Sequence, residues 1–190
     1  MPKKICKSVL LYSGGMDSWL IDKLVKPDVK LFFDIGTDQN QQEKKRLDQD
    51  IIIKKIALDE YVQDDNLLTI PLRNLIFLSI AINYGDTIIL GTTADDLHYD
   101  KKKEFISEVE KLFNSVLTKE LVSKKIKIEI PFQDKSKKEI LAEYLTKGGD
   151  IEKAYKESFS CHYPKHNKEC GKCTPCIKKI ETFQLFDYAI

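Results

Sequence analysis

Residues 9–18 read Val9-Leu10-Leu11-Tyr12-Ser13-Gly14-Gly15-Met16-Asp17-Ser18, and this stretch indicates the fold. The apolar run that ends at Tyr12 has the length and content of a short buried strand. Two glycines then interrupt the run, and a helical pattern follows from about Met16 to Val25. A buried strand, a glycine turn and a helix in direct succession are typical of the first unit of an α/β protein.

The same alternation continues along the chain. Apolar runs at 29–34 and 50–56 predict two more strands, with a polar helix at 39–49 between them. Pro71 predicts the start of a helix, because proline is favoured in a first turn, and Gly85 is expected to cap its end. The remaining elements are predicted as strands at 87–90 and 126–130 and helices at 105–117 and 136–145.

Strands separated by helices pair in parallel and place helices on both faces of the sheet. The sequence therefore predicts a doubly wound parallel sheet of about five strands. The half-polar strand at 126–130 is expected at an edge. Ligands of such sheets bind beyond the carboxyl ends of the strands, so we expect the chemistry near Ser13, Asp34 and Gly91.

The composition fits one globular unit. The chain has 190 residues, of which 42% are hydrophobic and 32% charged, and its formal net charge is +1. No apolar run reaches the roughly 18 residues of a membrane span, and the N-terminus lacks the apolar core of a secretory signal. A near-neutral chain has no overall field to hold nucleic acid. We therefore expect a cytoplasmic protein that binds small molecules rather than nucleic acid or a membrane.

The Ser13–Ser18 loop has the features of an anion cradle. Its glycines permit a close backbone approach, and its N–H groups, two hydroxyls and the following helix N-terminus favour a negative ligand. It has no lysine, so it is not a Walker loop, and it does not match the dinucleotide pattern GxGxxG. The alternative is an ordinary strand-to-helix turn with a serine cap.

Four of the five cysteines cluster near the C-terminus. The odd total, with Cys6 alone, argues against a disulfide framework. Four thiolates at close spacing predict a closed tetrahedral zinc site with a structural role. A redox pair, free thiols and, as the main rival, an iron–sulfur cluster are the alternatives. His162 and His166 lie inside the cluster but are not needed as ligands. The predicted ligands are Cys161, Cys170, Cys173 and Cys176.

The Ser13–Ser18 loop resembles the PP-loop of the ATP pyrophosphatase superfamily, whose members cleave ATP between the α and β phosphates and adenylate a substrate oxygen. The resemblance implies an adenine nucleotide alpha hydrolase-like sheet and implies ATP and Mg²⁺ as cofactors. Asp17, the lone acid of the loop, is expected to act through Mg²⁺. The resemblance assigns the nucleotide to Tyr12, Ser13, Gly14, Gly15, Met16, Asp17, Ser18, Trp19, Leu20, Asp34 and Gly91.

Three further stretches are similar to the 7-cyano-7-deazaguanine synthase family, called QueC. They are residues 72–79 (LRNLIFLS), 91–96 (GTTADD) and the cysteine segment from Ser160, and residues 136–140 (SKKEI) are similar to the start of a family helix. In that family ATP adenylates 7-carboxy-7-deazaguanine, ammonia displaces AMP to give an amide, and a second ATP drives conversion to the nitrile. The resemblance thus implies a C–N ligase that carries one structural Zn²⁺.

The resemblance also implies roles for individual side chains. Asp17, Arg73 and Lys137 are expected to act in catalysis: Arg73 and Lys137 would neutralise the leaving pyrophosphate directly, and Asp17 would act through Mg²⁺. For Arg73 the structural alternative is an ion pair with a strand-end carboxylate such as Asp34. Exposed loop positions are the alternative for Asp95, Asp96 and His98. The residues expected to contact the deazaguanine are Phe33, Asn74, Asp95, Asp96, His98 and Tyr99.

Two stretches depart from the family pattern. After Asp96 the family has a longer loop rich in Gly, Pro, Asp and Arg, and its FDYGQxH motif is FDIGTDQ here, at 33–39. The exact carboxylate, the ammonia source and the product, nitrile or amide, therefore stay open, as does a divergent role in a phage or a defence system.

Two other classes of function compete with this reading. A PP-loop tRNA sulfurtransferase would need reactive cysteines near the ATP site and a basic surface. A non-enzymatic interaction protein would not need the intact Ser13–Ser18 loop. The resemblance further implies an ATP-binding domain at 1–157, a zinc-binding segment at 158–190 packed on it, and a homodimer of the kind common in the family.

Overall fold

The computed structural model describes residues 7–62, 70–96, 98–119, 124–164 and 168–188. Strands and helices alternate along most of this length. In chain order they are β1 (Ser8–Leu11), α1 (Met16–Val25), β2 (Val29–Asp34), α2 (Asp38–Lys44), β3 (Ile52–Lys55), α3 (Arg73–Ala81), β4 (Thr87–Ile89), α4 (Lys103–Lys119), β5 (Lys127–Glu129), α5 (Lys137–Thr146), α6 (Ile151–Glu157) and α7 (Thr174–Gln184).

The strands form one five-stranded sheet in the order β3-β2-β1-β4-β5, and every neighbouring pair is parallel. Val9 in the central strand lies opposite Val29 of β2 and Ile88 of β4. The predicted parallel sheet is confirmed, and β5 lies at an edge as expected. Because β1 is central, the Ser13–Ser18 loop emerges between the ends of β2 and β4.

Side chains of β1 alternate between two apolar cores, one on each face of the sheet. Val9 packs in the core that contains Leu78 of α3 and α4 side chains. Leu10 packs in the other core, with Leu20 of α1 and Ile140 of α5. All five of these side chains are fully buried, and burial of one such side chain stabilises the fold by about 1.5–3 kcal/mol. The helices therefore cover both faces, as the alternating pattern predicts.

Several helix ends differ from the predictions. Helix α3 begins at Arg73 rather than Pro71, because Leu72 has a φ of +53° and cannot belong to the helix. Gly85 does not cap α3, which ends at Ala81. A Cβ on Gly85 would lie 2.3 Å from the carbonyl oxygen of Lys7, so a close backbone approach requires this glycine. The polar helix α2 is shorter than predicted and ends at Lys44.

Helix α5 begins as predicted, with a capping box in which the Ser136 hydroxyl and the Glu139 carboxylate bond each other's backbone N–H groups. The two helices beyond it were not predicted. Asp150 caps α6 by accepting from the Lys153 N–H at 3.1 Å. Helix α7 starts directly after Cys173 and buries Phe183 completely in the core that contains Leu10.

Helix α7 thereby packs the C-terminal segment against the sheet. The predicted division of the chain into an ATP-binding domain at 1–157 and a zinc-binding segment at 158–190 stays a prediction. Among the residues that the structure describes, no helix is long and apolar enough to cross a membrane.

Candidate functional site

The Ser13–Ser18 loop is folded around its own hydroxyl groups. The Ser13 N–H donates to Ser18 Oγ and the Gly15 N–H donates to Ser13 Oγ, both at 3.2 Å. Ser18 Oγ donates to the Gly15 carbonyl at 3.1 Å. Gly14 has a φ of +75°, in the region that favours glycine. These contacts hold a tight turn at the N-terminus of α1, where backbone N–H groups and the helix dipole favour an anion.

The neighbouring strand end lies beside this loop. A Cβ on Gly91, just after β4, would lie 3.8 Å from the Ser18 backbone and 3.4 Å from the Ile21 side chain. The position therefore has room for ordinary contacts but lies directly against the first turns of α1. These distances place the end of β4 against the loop that follows β1.

Asp17 and Lys137 form an ion pair at the loop, although they lie 120 positions apart in the chain. The side chains are 23% and 21% exposed, respectively. Asp95 accepts from the Lys137 backbone N–H at 3.0 Å and so fixes the start of α5 beside the loop. Asp17 Oδ1 is buried and has no hydrogen-bond partner in the described parts of the chain. One oxygen of Asp17 is thus paired with a cation and the other is available to a ligand.

Asp34, at the end of β2, pairs with Lys44 rather than with Arg73. Lys44 Nζ and Gln41 Nε2 both lie 2.6 Å from its carboxylate oxygens. Burial raises the pKa of Asp34, but these hydrogen bonds outweigh burial and hold the pKa below its usual range. The carboxylate therefore stays ionised at the carboxyl edge of the sheet.

Arg73 is the first residue of α3, and its Nε is buried without a hydrogen-bond partner among residues 7–62, 70–96, 98–119, 124–164 and 168–188. Its guanidinium carbon lies 5.9 Å from the centre of the Phe77 ring. The ion pair with Asp34, offered as the structural alternative for Arg73, is wrong. One N–H group of Arg73 is thus buried and unpaired within the part of the chain that the structure describes.

Four of the residues assigned to the nucleotide have buried side chains that form part of the core. Tyr12, Met16, Trp19 and Leu20 pack on the face that α1 covers, and each is at most 8% exposed. Trp19 Nε1 also donates to Glu157 Oε2 at 3.3 Å. Contact between these positions and a nucleotide stays a prediction, and it would involve their backbone atoms.

Two of the residues assigned to the substrate lie in the interior. The Phe33 ring stacks on Phe77 with a centroid distance of 4.2 Å and is 5% exposed. Asn74 is buried and its Nδ2 donates to the Asp100 carbonyl at 3.5 Å. The Phe33 ring is therefore enclosed by the packing of β2 against α3, and its contact with the deazaguanine stays a prediction.

The other residues expected to contact the substrate lie in the loop after β4, and they differ in their exposure to solvent. Asp96 accepts from the Thr93 N–H at 2.9 Å and from Lys101 Nζ at 2.6 Å. Burial raises the pKa of Asp96, but the charge and hydrogen bond of Lys101 hold it below its usual range. Asp95, His98 and Tyr99 are exposed, while Leu97 lies outside the described residues. Asp96 thus fixes the loop, and the other three face solvent.

Sequence reasoning missed a contact between the loop and residues 158–160. The Phe159 N–H donates to the Gly14 carbonyl at 2.9 Å, and the Met16 N–H donates to Ser160 Oγ at 3.4 Å. The guanidinium carbon of Arg46 lies 3.8 Å from the centre of the Phe159 ring. The one signal in the sequence was that this segment directly precedes Cys161. The loop and the cysteine segment are therefore joined.

An ion pair between the buried Lys179 and Glu169 also binds the backbone of residues 158–160. Lys179 of α7 is 2% exposed, and its Nζ donates to the Ser158 carbonyl at 2.6 Å and to Glu169 at 2.9 Å. The Ser160 N–H donates to the same Glu169 carboxylate. A buried charge is tolerated only when paired and hydrogen-bonded, and this lysine meets both conditions.

The four C-terminal cysteines converge on one point. Their Sγ atoms all lie within 4.8 Å of one another, and three of the separations are 3.4, 3.9 and 4.0 Å. Tetrahedral zinc with Zn–S bonds of about 2.3 Å sets its sulfur atoms about 3.8 Å apart. An iron–sulfur cluster needs a wider spacing, because irons and sulfides lie between its cysteines. The donor set therefore fits a single zinc ion better than a cluster.

Backbone groups around the cysteines favour thiolates. Hydrogen bonds from the backbone N–H groups of Lys172 and Cys173 lower the pKa of Cys170 to about 6. The Cys170 N–H donates to Cys161 Sγ at 3.2 Å, and the His162 N–H donates to Cys173 Sγ at 3.4 Å. The metal-binding group found among the described residues contains the four cysteines and not the His162 ring. Cys6 and His166 lie outside those residues.

Comparison with known proteins identifies the family. The family model described as "Queuosine biosynthesis protein QueC" matches residues 47–187, which is well over half of the chain. The chain belongs to the QueC family. A 7-cyano-7-deazaguanine synthase of Rickettsia prowazekii is 33% identical, and the match covers 94% of each chain. One of Persephonella marina is 30% identical over 96% of this chain and 94% of its own.

These QueC-family alignments extend over 221 and 220 positions, more than the 190 residues of this chain, so they contain gaps on its side. Among solved structures, the chain is similar to the U34-tRNA thiolase NcsA from Methanococcus maripaludis with its [4Fe-4S] cluster. That match has a TM-score of 0.49 and 18% identity and covers 97% of this chain and 66% of the thiolase.

Proposed function

We propose that this chain is a 7-cyano-7-deazaguanine synthase, a ligase that uses ATP and ammonia to convert 7-carboxy-7-deazaguanine into the nitrile. Relatives aligned over most of its length carry that name. The observation that supports the proposal most directly is the Asp17–Lys137 pair at the Ser13–Ser18 loop. It adds a cation and an unpaired carboxylate oxygen to a turn that favours an anion.

In the proposed first step, an oxygen of the substrate carboxylate attacks the α-phosphorus of ATP. The bond from that phosphorus to the α–β bridging oxygen breaks, and pyrophosphate leaves with its negative charge. The N–H groups of the loop, Lys137 and Arg73 are suited to bind that charge as it develops. Asp17 Oδ1, buried without a partner in the described residues, would hold the Mg²⁺ that accompanies ATP. When bound, this ion supplies positive charge to the phosphates.

The same residues act again in the later steps of the proposed reaction. Ammonia attacks the acyl carbon, and AMP leaves with the transferred oxygen to give the amide. The amide oxygen then attacks the α-phosphorus of a second ATP, and pyrophosphate leaves. Loss of AMP and protons from this adenylated amide gives the nitrile. Each nitrile thus requires two ATP and yields two AMP and two pyrophosphates. In both activations the loop and Lys137 hold the triphosphate while pyrophosphate departs.

The proposed substrate pocket lies at the loop after β4. Tyr99 is 63% exposed and, with His98, can offer a ring to the deazaguanine. Asp95 is exposed beside the start of α5 and can accept from N–H groups at the edge of the ring. Three of the expected substrate residues instead have partners inside the protein and would support the pocket without touching the substrate. Asp96 bonds Lys101, Asn74 bonds the Asp100 carbonyl, and Phe33 stacks on Phe77.

The proposal includes one zinc ion on the four cysteines. Four thiolates leave no open position on zinc, so the ion stabilises the fold and does not bind substrate. It also includes a cytoplasmic location, a homodimer and no nucleic-acid partner.

Product analysis tests the proposal. The metal-loaded chain is incubated with ATP, MgCl₂, ammonium and 7-carboxy-7-deazaguanine, and the products are identified by mass spectrometry. The nitrile, AMP and pyrophosphate are expected. Accumulation of the amide alone would assign the chain to a shortened reaction. ADP and phosphate in place of AMP and pyrophosphate would contradict the proposal, because a different bond of ATP would then be cleaved.

A further inference from the structure

Ser160 lies against the turn between β1 and α1, although sequence reasoning gave this residue no role. Its Oγ accepts from the Met16 N–H at 3.4 Å, and the preceding residue, Phe159, donates its N–H to the Gly14 carbonyl at 2.9 Å. A Cβ on Gly15 would lie 3.7 Å from the Phe159 carbonyl oxygen. Contacts with three successive residues of the turn therefore place this segment beside its glycines.

We infer that Ser160 is a further phosphate-binding residue of the active site. Its hydroxyl donates to an oxygen of the β or γ phosphate of ATP and then to the leaving pyrophosphate. The inference rests on the proposed function, because it takes ATP as the ligand of the Ser13–Ser18 loop. It adds a binding residue that comes from the cysteine segment rather than from the loop itself.

The Ser160 hydroxyl has a proton to donate. A serine hydroxyl can donate one hydrogen bond and accept two, and the bond from Met16 uses an acceptor position only. In the part of the chain that the structure describes, this hydroxyl donates to no acceptor. At 3.4 Å the bond from Met16 is also longer than the roughly 2.7–3.2 Å of a typical N–H···O hydrogen bond. The hydroxyl can therefore bind an anion without losing a strong bond.

The position of this hydroxyl favours an anionic ligand. The first N–H groups of a helix have no partner inside the helix, and Gly15, which precedes α1, has no side chain to bond them. Ser160 takes the Met16 N–H from a segment 144 positions away. Its oxygen therefore lies at the positive end of the α1 dipole, among the N–H groups that are suited to a phosphate.

The backbone on both sides of residue 159 is fixed before a ligand arrives. The Ser160 N–H donates to the Glu169 carboxylate, which pairs with Lys179 at 2.9 Å. The Lys179 side chain is 2% exposed, and its Nζ also donates to the Ser158 carbonyl at 2.6 Å. A donor that is already held in place lowers the entropic cost of binding. The ion pair thus presents the Ser160 hydroxyl to the loop.

A role confined to capping α1 would also explain the contact between Ser160 and Met16. The two roles predict opposite results when the hydroxyl is removed. If the hydroxyl only caps the helix, its loss frees the Met16 N–H for a phosphate, and pyrophosphate affinity stays equal or rises. If the hydroxyl donates to a phosphate, its loss weakens pyrophosphate binding.

Calorimetric titration of the metal-loaded full chain with three probes tests the inference. The probes are α,β-methylene ATP, pyrophosphate and AMP. Ser160→Ala should weaken binding of the first two by about tenfold, the loss of one hydrogen bond to a charged group, and leave AMP binding unchanged. The matched control is Ser115→Ala, which removes a hydroxyl that bonds the Leu112 carbonyl on α4 and should change none of the three constants.

A second pair of variants separates the hydroxyl from the shape of the side chain. Ser160→Thr keeps the hydroxyl and should retain most of the pyrophosphate affinity, while Ser160→Val has nearly the same shape as the threonine and should lose it. Melting temperature and zinc content equal to those of the wild type show that a variant is folded.

The outcomes distinguish the inference from the proposed function. Equal or tighter pyrophosphate binding in Ser160→Ala, with equal affinities in Ser160→Thr and Ser160→Val, overturns the inference and leaves the proposed function standing. Pyrophosphate binding that depends on the Ser160 hydroxyl, without any binding of the ATP analogue by the wild type, overturns the proposed function and supports phosphate binding by Ser160.

Discussion

The two carboxylate oxygens of Asp17 have different surroundings. Oδ2 is paired with Lys137, while Oδ1 is buried without a partner in the described residues. A buried unpaired acceptor costs about 1–3 kcal/mol, and such an arrangement is stable here only because the fold fixes it from both sides. Asp17 lies in the first turn of α1, where Ser18 Oγ bonds the Gly15 carbonyl, and Lys137 lies in the first turn of α5, directly after the capping box at Ser136. The unpaired oxygen of Asp17 thus lowers the free energy of unfolding of the ligand-free protein, and it is the oxygen that we propose binds Mg²⁺.

Substitution of this pair should separate catalysis from folding. Asp17→Asn and Lys137→Met should each lower kcat/KM by about 100-fold or more. Lys137→Met removes a cation that would bind the departing pyrophosphate, and Asp17→Asn weakens the carboxylate that would hold Mg²⁺ beside it. Zinc content should not change. Release of AMP and pyrophosphate provides the measurement, and Lys138→Met, at the next and exposed position of α5, provides the control. Wild-type rates in both Asp17 and Lys137 variants would exclude them from the chemistry.

Glu43 gives a prediction about pH. Burial raises its pKa to about 7, above the value of 4.5 for the free side chain. Between these values the folded protein binds more protons than the unfolded chain, so the free energy of unfolding should fall as pH rises from about 4.5 to about 7. The shift corresponds to at most about 3 kcal/mol.

Glu43→Gln should remove this slope. Urea denaturation of the zinc-loaded protein between about pH 5.5 and pH 7.5 measures it. Glu60→Gln, at an exposed position, should keep the wild-type slope. An identical pH dependence in the wild type and Glu43→Gln would show that this carboxyl titrates normally.

At the scale of elements, the structure joins two parts of the chain that the sequence presents as separate motifs. The turn between β1 and α1 is bonded by Phe159 and Ser160, and the next residue is Cys161, one of the four clustered cysteines. Lys179 of α7 and Glu169 hold the same segment from the other side. The metal site is therefore expected to keep the loop in its shape as well as to stabilise the C-terminal segment.

Metal removal should accordingly affect the loop. Cys176→Ser, or chelation, should lower the melting temperature and the metal content together, and it should weaken binding of α,β-methylene ATP. Hydrogen exchange should become faster at residues 13–18, and added zinc should restore protection in the chelated wild type. Metal analysis should find one zinc per chain. Iron with visible absorbance would replace zinc by a cluster, and unchanged exchange at the loop would refute the link.

At the scale of the whole molecule, the parallel sheet could be predicted because β1, β2 and β4 are continuous apolar runs separated by helical patterns. The turn after β1 and the cluster of four cysteines could be predicted because each is a local motif with defined spacing. Contacts between residues that are far apart in the chain produce no such pattern in the sequence. The Asp17–Lys137 pair spans 120 positions, and the reason for Gly85 appears only when the carbonyl of Lys7 is placed against it.

The same limit applies to α7 and to Phe33. The residues of α7 run on directly from the cysteine motif, which conceals their helical periodicity, and its one fully buried aromatic ring is Phe183. Phe33 lies at a strand end, which sequence reasoning read as an open position, yet the stacking of Phe77 from α3 encloses it. Placement of a side chain inside or outside the site depends on partners that a single sequence does not show.

Transfer of oxygen from substrate to AMP tests the central claim most directly. The acid is prepared with both carboxylate oxygens as ¹⁸O and turned over with ATP and ammonium, and the AMP is analysed by mass spectrometry. The account predicts that every nitrile formed yields two AMP molecules, each with one ¹⁸O, because both oxygens leave attached to the α-phosphorus. Unlabelled AMP, with the label recovered in water or in inorganic phosphate, would contradict adenylation of the carboxylate.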